Sequence, residues 1–207
     1  MTARPFSLGF TALAGFVVVA LTVTLGWTAR LDDAVVATFA ANRGPDGAAV
    51  ALAITALGAP ALVALVVIVA GAQFWTAGRR SAVVACALSP AVAGLTEETL
   101  KLVFGRPRPA GALIVLPGST SFPSGHAAAT AALYVILGLL VADLQTAPAA
   151  RRATLVTALV LPILTAASRV YLGVHYFSDV VAGLLLGLGV ALLVYGAVTR
   201  GAAAETR

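Results

Sequence analysis

The sequence is short of charged residues. Asp, Glu, Lys and Arg make up only 10% of its 207 residues, whereas a soluble domain carries about 25%. With 60% hydrophobic residues and a mean hydropathy of +1.02, the chain cannot cover itself with polar surface in water. This composition excludes a cytosolic enzyme, a disordered chain and a secreted disulfide scaffold. It predicts an integral membrane protein whose solvent is largely lipid.

Cysteine, lysine and histidine are nearly absent as well. The single cysteine, Cys86, allows no internal disulfide, and its apolar surroundings predict an inert buried thiol. A net charge of +5 would suggest a nucleic-acid partner in a soluble protein. In a membrane chain it indicates topology and an anionic ligand instead, so we expect the lipid bilayer and no nucleic acid as partner.

Six apolar stretches could cross a bilayer as helices, which takes about 20 residues each. They are residues 8–27, 48–75, 81–95, 126–141, 153–167 and 180–198. Pro60 predicts a kink in the second stretch, and the third, fourth and fifth reach full length only if they continue into polar ends. The first is longer than a signal-peptide core and no small-residue cleavage site follows it, so we expect it to be retained. We predict an all-α integral membrane bundle of six transmembrane helices, forming one domain over residues 1–207 and of unassigned oligomeric state.

The distribution of basic residues predicts the orientation of this bundle. Six spans place both termini on one side, and cytoplasmic segments carry an excess of Lys and Arg. The two sides hold seven and six basic residues, but Lys101, Arg108 and Arg169 belong to the polar clusters described next, which leaves seven against three. We therefore expect a multi-pass protein of the cell (inner) membrane with both termini in the cytoplasm. Residues 101–126 and 169–179 then face outward.

The few polar residues outside the spans gather in three clusters at this outward edge. The clusters are residues 101–109, 123–126 and 168–179, and they contain both histidines and the only lysine. A membrane protein so poor in polar residues has little reason to collect them in one place without a ligand.

The spacing within the clusters indicates nucleophilic chemistry. His175 and Asp179 are four residues apart and share a helix face, so the carboxylate can fix the tautomer of the imidazole and leave its other nitrogen free to attack. Ser124 lies near the predicted N-cap of an alanine-rich helix, whose N–H groups and dipole suit a phosphate, and Gly125 permits its close approach. His126, at the same edge, can give a proton to a leaving oxygen.

Three cations complete the pattern. Lys101, Arg108 and Arg169 supply positive charge, and the two guanidinium groups are planar forks suited to phosphate oxygens. Together the clusters predict a phosphoryl-transfer site with a histidine nucleophile.

The clusters also carry a family signature. They match K-x6-R-P, P-S-G-H and S-R-x5-H-x3-D, with no position departing from the pattern. The sequence thereby resembles the type 2 phosphatidic acid phosphatase superfamily, which also includes vanadium haloperoxidases. Three motifs in this order make the resemblance specific. They span residues 101–179, and the six-helix layout extends the likeness to nearly the whole chain.

The resemblance implies a role for each matching residue. His175 would attack phosphorus and become a phosphohistidine, oriented by Asp179, while His126 would protonate the leaving group and then activate water. The phosphate oxygens would be held by Lys101, Arg108, Arg169, Ser124 and Gly125. Members of the family need no metal, so neither a metal nor another cofactor is expected.

The expected function is hydrolysis of a membrane lipid phosphate or diphosphate. The candidate substrates are an isoprenoid diphosphate such as undecaprenyl diphosphate, which the resemblance favours, phosphatidic acid and phosphatidylglycerol phosphate. A lipid phosphotransferase using the same phosphohistidine is an alternative, and so is a non-enzymatic lipid-phosphate binder or transporter. The six spans argue against a soluble haloperoxidase.

Several polar residues near the motifs keep two interpretations. Glu97, four residues before Lys101, could pair with its ammonium, whereas a metal-binding role for Glu97 and Glu98 lacks a partner cluster. Arg106 could contact phosphate or only its own loop, and the loop is favoured. Four further residues could contact the lipid headgroup or simply meet water, namely Ser119, Thr120, Ser121 and Ser178. The apolar residues 112–116 could rest on the membrane surface or pack against the protein.

Overall fold

The computed structural model describes residues 3–114, 116 and 120–205, and its regular elements are all helices. The α-helices are α1 (Ala3–Thr24), α2 (Ala29–Ala41), α3 (Pro45–Thr55), α4 (Pro60–Thr76), α5 (Arg80–Phe104), α6 (Gly125–Ala142), α7 (Pro148–Tyr171) and α8 (Phe177–Glu205). A short 3₁₀ helix, Ala56–Gly58, joins α3 to α4.

The helices confirm the predicted all-α membrane bundle. Five are long and apolar enough to cross a bilayer, namely Arg4–Thr24, Arg80–Phe104, Gly125–Ala142, Pro148–Tyr171 and Phe177–Gly201. A sixth span arises if Pro45–Gly58 and Pro60–Thr76, which are bent by 48°, are taken together. Large apolar side chains are exposed on the outer surface, including Leu102 at 88% and Val103 at 73%. Such a surface is stable when lipid covers it.

The second span bends at Pro60 as predicted, but it does so at a break between helices, and the segment before it holds a further helix. Pro60 is the first residue of α4, a position where the missing N–H of proline costs no helical hydrogen bond, so the chain breaks there instead of kinking a continuous helix. Helix α2, which was not predicted, lies between the first two spans and has only 13 residues. Helices α5 and α7 do continue into polar ends, as their length required, and include Lys101 and Arg169.

Helix α6 lies at the centre of the bundle and packs against α5, α7 and α8. Two glycines on α8 allow the backbones of α6 and α8 to approach closely. A methyl group added at Gly183 would lie 2.5 Å from the carbonyl oxygen of Ser124, and one at Gly187 would lie 2.8 Å from the backbone nitrogen of Ala132. Small residues at such positions let membrane helices touch through their backbones.

This packing predicts the effect of a single methyl group. Gly187→Ala should lower thermal stability in detergent, because the new methyl group would overlap the α6 backbone, and overpacking typically costs about 1–3 kcal/mol. Gly71→Ala on α4 is the matched control, since its methyl group would meet only Val83 at 3.8 Å. Equal melting temperatures for the two variants would contradict the close α6–α8 contact.

Candidate active site

Two glycines turn the chain where the polar clusters meet. Gly105 ends α5 in the left-handed conformation (φ 56°), with its N–H bonded to the Lys101 carbonyl at 3.1 Å. Gly173 (φ 73°) follows α7 and redirects the chain towards His175. Glycine adopts positive φ at no steric cost, so both turns bring motif residues back to the same end of the bundle.

The first residues of α6 and α8 also meet at this end. The backbone N–H of Ser124 donates to the carbonyl oxygen of Asp179 at 3.0 Å. Ser124 occupies the predicted N-cap position of α6, but its hydroxyl makes no capping hydrogen bond and is buried without a partner among the described residues. Gly125 then begins the helix.

Six of the eight predicted site residues line one cavity of about 630 Å³. They are Lys101, Arg108, Gly125, His126, Arg169 and His175. The two others, Ser124 and Asp179, are buried; Asp179 stands beside His175, and Ser124 directly precedes Gly125. The rest of the cavity wall is mostly apolar and comes from α4 and α5, with Val63, Ala64, Val67, Ile68, Ala87 and Ala91. Glu97 and Glu98 also line the cavity, so a single space joins a charged end, with three cations and two carboxylates, to an apolar end.

His175 is buried with a different partner at each ring nitrogen. Its Nδ1 lies 3.4 Å from Asp179 Oδ2, which is too long for a strong hydrogen bond, and its Nε2 lies 3.1 Å from Nη1 of Arg108. Burial lowers the pKa of His175 to about 4, although Asp179 favours the charged form. The ring is therefore neutral at pH 7. The two partners favour the tautomer with its proton on Nδ1 and a lone pair on Nε2.

The guanidinium groups of Arg108 and Arg169 are each fixed by a hydrogen bond to a residue outside their own motif position. Arg108 donates from Nη1 to the carbonyl oxygen of Val174 at 2.6 Å, and burial lowers its pKa without removing its charge. Arg169 is 2% exposed and donates from Nη1 to the hydroxyl of Thr55 at 2.9 Å. Its Nε is buried and has no hydrogen-bond partner in the part of the chain that the structure describes. Thr55, at the end of α3, was not predicted from the sequence.

Lys101 pairs with two carboxylates on its own helix. It forms an ion pair with Glu97, as predicted, and a second one with Glu98 at 3.2 Å. Glu97 is only 3% exposed, and a methyl group added at Gly125 would lie 2.7 Å from its Oε1. The Glu97 carboxylate is thus packed against the first turn of α6.

The break in the second span contacts His126. A methyl group added at Gly58 would lie 3.0 Å from Cδ2 of the His126 ring. The 3₁₀ helix therefore forms the wall against which this imidazole rests, and a larger residue at position 58 would displace it.

Arg106 corrects the prediction made for it. It contacts neither the cavity nor only its own loop, because Nη1 donates to Asp179 Oδ1 at 2.6 Å and Nη2 donates to Asp32 Oδ2 at 2.8 Å. Ser178, for which contact with the headgroup or with water was considered, is instead buried and donates from Oγ to Asp32 Oδ2 at 2.6 Å. Asp32 lies on α2, and nothing in the sequence pattern marked it.

The remaining loop residues are placed in part. Ser121 is buried and donates from Oγ to the Pro107 carbonyl at 3.0 Å, and Thr120 donates to the Lys101 carbonyl at 3.3 Å, so neither is a free headgroup ligand. Ser119 and Val115 lie outside the described residues, while Leu116 lines the cavity. Among the described residues, no three His, Cys, Asp or Glu side chains gather to hold a metal ion.

Comparison with known proteins identifies the family. The model of the PAP2 superfamily matches residues 80–201, which is more than half of the chain. The chain belongs to the PAP2 superfamily. The resemblance seen in the three motifs is thereby confirmed.

Two of the comparisons lead to Bacillus subtilis. Phosphatidylglycerophosphatase B of strain 168 is 41% identical over 103 residues, which are 49% of this chain and 51% of that protein. The match thus spans about half the length of this relative. The crystal structure of the first transmembrane PAP2-type phosphatidylglycerolphosphate phosphatase from B. subtilis is 28% identical, covers 96% of this chain and 97% of its own, and superposes with a TM-score of 0.84.

A more distant solved structure shares the fold alone. Aquifex aeolicus LpxE is 21% identical, covers 79% of this chain and 94% of its own, and has a TM-score of 0.64.

The Glu97–Lys101 pair predicts an asymmetry between two variants. Lys101→Met leaves the buried Glu97 carboxylate without its main cation, and breaking a buried pair in this way costs about 3 kcal/mol or more. Glu97→Gln removes the buried charge itself and leaves Lys101 with Glu98, so it should cost much less. Thermal unfolding in detergent at neutral pH measures both, and equal losses would contradict the pairing.

Proposed function

We propose that this chain is an integral-membrane lipid phosphatase that removes a phosphoryl group from a membrane lipid through a phosphohistidine intermediate. The observation that carries the proposal is the single cavity, in which both histidines and three cations share one space with an apolar wall. Such a cavity suits a molecule that has a phosphate at one end and a hydrocarbon chain at the other.

The chemistry divides between the two histidines in two steps. In the first step, Nε2 of His175 attacks phosphorus, the bond from phosphorus to the lipid oxygen breaks, and His126 gives a proton to that oxygen. In the second step, His126 takes a proton from water, which attacks the phosphohistidine and releases inorganic phosphate and the neutral imidazole. The neutral state of His175 at pH 7 supports its role as nucleophile.

The cations supply the electrostatic part of catalysis. Lys101, Arg108 and Arg169 would hold the non-bridging oxygens of phosphate together with Ser124 and the backbone of Gly125 at the start of α6. The partnerless Oγ of Ser124 and Nε of Arg169 support this assignment, because buried polar atoms are normally hydrogen-bonded. Fixed cations of this kind stabilise the charge that develops on a transferring phosphoryl group.

We propose phosphatidylglycerol phosphate as the first substrate to test. The names printed for the B. subtilis matches support it over the isoprenoid diphosphate that the family resemblance favoured. Phosphatidic acid stays a further candidate, since the cavity offers the same cations to any lipid phosphomonoester.

The proposed location of the site is the extracytoplasmic face of the cell (inner) membrane. The site lies at the C-terminal ends of α5 and α7, while the arginines at positions 79, 80, 151 and 152 lie at or next to the starts of these helices. Basic residues concentrate on the cytoplasmic side, and this supports cytoplasmic termini with the cavity facing outward.

The decisive experiment measures phosphate release by the purified protein in detergent with EDTA present. The panel comprises phosphatidylglycerol phosphate, phosphatidic acid and undecaprenyl diphosphate, and a folded His175→Ala protein is the control. We expect release by the wild type alone, fastest with phosphatidylglycerol phosphate. No release from any of the three lipids by a folded wild type would overturn the proposal in favour of a transferase or a lipid binder, and substantial release by His175→Ala would remove His175 as nucleophile.

The role of His126 predicts a dependence on the leaving group. His126→Ala should slow turnover of a lipid alcohol ester by about 10²-fold or more, which is typical for loss of a general acid. The loss should be much smaller with nitrophenyl phosphate, whose leaving group is a weak base and needs no proton. The comparison uses the rate of the first turnover, in which the phosphohistidine forms, because the later water step needs His126 with both substrates. Equal losses in that rate would contradict the assignment.

A further inference from the structure

A buried ion network lies beside the cavity without lining it. Arg106 donates from Nη1 to Asp179 Oδ1 at 2.6 Å and to Ser178 Oγ at 2.8 Å, and from Nη2 to Asp32 Oδ2 at 2.8 Å. Both carboxylates are fully buried. The guanidinium also lies 4.1 Å from the centre of the Tyr176 ring, so one of its faces and both amino groups are engaged in this network.

Asp32 joins α2 to the start of α8. Its Oδ1 accepts the backbone N–H of Ser178 at 2.9 Å, and its Oδ2 accepts the Ser178 hydroxyl at 2.6 Å. Burial alone would raise the pKa of Asp32, but hydrogen bonds from Ser178 and Arg106 outweigh it and lower the pKa. A carboxylate on one helix thus satisfies an unpaired N–H in the first turn of another.

The two carboxylate oxygens of Asp179 have different partners. Oδ1 accepts from Arg106, whereas Oδ2 accepts the Tyr176 N–H at 2.9 Å and faces Nδ1 of His175 at 3.4 Å. Because Arg106 is itself fixed by Asp32, the plane of the Asp179 carboxylate is held from α2. The contacts from Asp32 through Arg106 to Asp179 thus end at the imidazole of His175.

We propose that Asp32 and Arg106 are positioning residues, which act together to hold the Asp179 carboxylate in place against His175. The proposal rests on the proposed phosphatase function for its kinetic consequence, but its effect on the His175 ring is independent of turnover. Neither residue lines the cavity, so they act through Asp179 and not by touching the substrate.

The network has an electrostatic consequence with a defined sign. The positive charge of Arg106 partly offsets the effect of the Asp179 carboxylate on the pKa of His175. The negative charge of Asp32 in turn partly offsets the effect of Arg106. Removing the Arg106 charge should therefore raise the pKa of His175, and removing the Asp32 charge should lower it. The other charged and titratable groups around the ring are unchanged in both variants: Arg108 from the loop after α5, His126 from α6 and Arg169 from α7.

The first test separates positioning from binding. Arg106→Lys keeps the charge but cannot donate to Asp32 and Asp179 as a planar fork, so kcat should fall by about tenfold while KM for the lipid stays near the wild-type value. Arg43→Lys is the matched control. Arg43 also reaches its partners through its fork, but these are the backbone carbonyls of Tyr171 and Gly111, so its kcat should change little.

The second test observes the ring directly. The chain contains only two histidines, so a protein with isotope-labelled histidine gives two imidazole signals in detergent, and His126→Gln assigns them. The signal of His175 is followed through its titration in the wild type, in Arg106→Gln and in Asp32→Asn. We expect a pKa above the wild-type value in Arg106→Gln and below it in Asp32→Asn.

The outcomes distinguish this proposal from the proposed function. Opposite shifts of the His175 titration support the network even if no tested lipid is hydrolysed, whereas shifts in the same direction, or none, overturn it. If the wild type releases phosphate but kcat of Arg106→Lys equals that of Arg43→Lys, the positioning role is wrong and the phosphatase proposal stands. Should Arg106→Gln fail to fold, the two other variants still test the proposal. Asp32→Asn keeps the side-chain volume at position 32, and Arg106→Lys keeps the positive charge at position 106.

Discussion

Helices α6 and α8 touch through their backbones where Gly183 faces Ser124 and Gly187 faces the turn that contains Ala132. This contact brings the first turns of both helices to the same level, with the Ser124 N–H bonded to the Asp179 carbonyl. The P-S-G-H motif opens one helix, and the aspartate of the third motif lies in the first turn of the other. Because neither helix can move along its axis without breaking this packing, the separation of the two histidine motifs is fixed by residues that carry no chemistry.

The second constraint is that charged side chains buried in the bundle need a partner of opposite charge. Each of the buried carboxylates of Asp32, Asp179 and Glu97 has a cation beside it, Arg106 for the first two and Lys101 for the third. Unpaired, these carboxylates would carry a large desolvation cost. The cavity keeps a surplus of positive charge, since Lys101, Arg108 and Arg169 line it together with Glu97 and Glu98. That surplus favours an anionic ligand, such as the lipid phosphate that the proposed function assigns to it.

The sequence predicted those parts of the site that are local. The i,i+4 spacing of His175 and Asp179, the start of α6 at Gly125 and the pairing of Glu97 with Lys101 all lie within one turn of helix, where spacing determines proximity. Asp32 was missed because α2 is short and lies 74 residues before its partner Arg106, and no periodicity links them. Arg106 was misinterpreted for the same reason: within its loop it has the same surroundings as Arg108, and only the packing of α2 and α8 separates their roles. The break at Pro60 follows from the chemistry of proline, but that Gly58 then rests against His126 depends on how three helices meet.

The exposed residues Leu102 and Val103 indicate how deep the site lies. They occupy the same turn of α5 as Lys101, and their side chains are 88% and 73% exposed. Side chains this apolar are stable in acyl chains and not in water, so the hydrocarbon layer reaches the last turn of α5 on the outer surface of the bundle. The Lys101 ammonium lies on the inner side of that turn, so the proposed function places it at the boundary between hydrocarbon and headgroups. Under that proposal, a lipid phosphate meets the ammonium while its hydrocarbon chain stays in the bilayer.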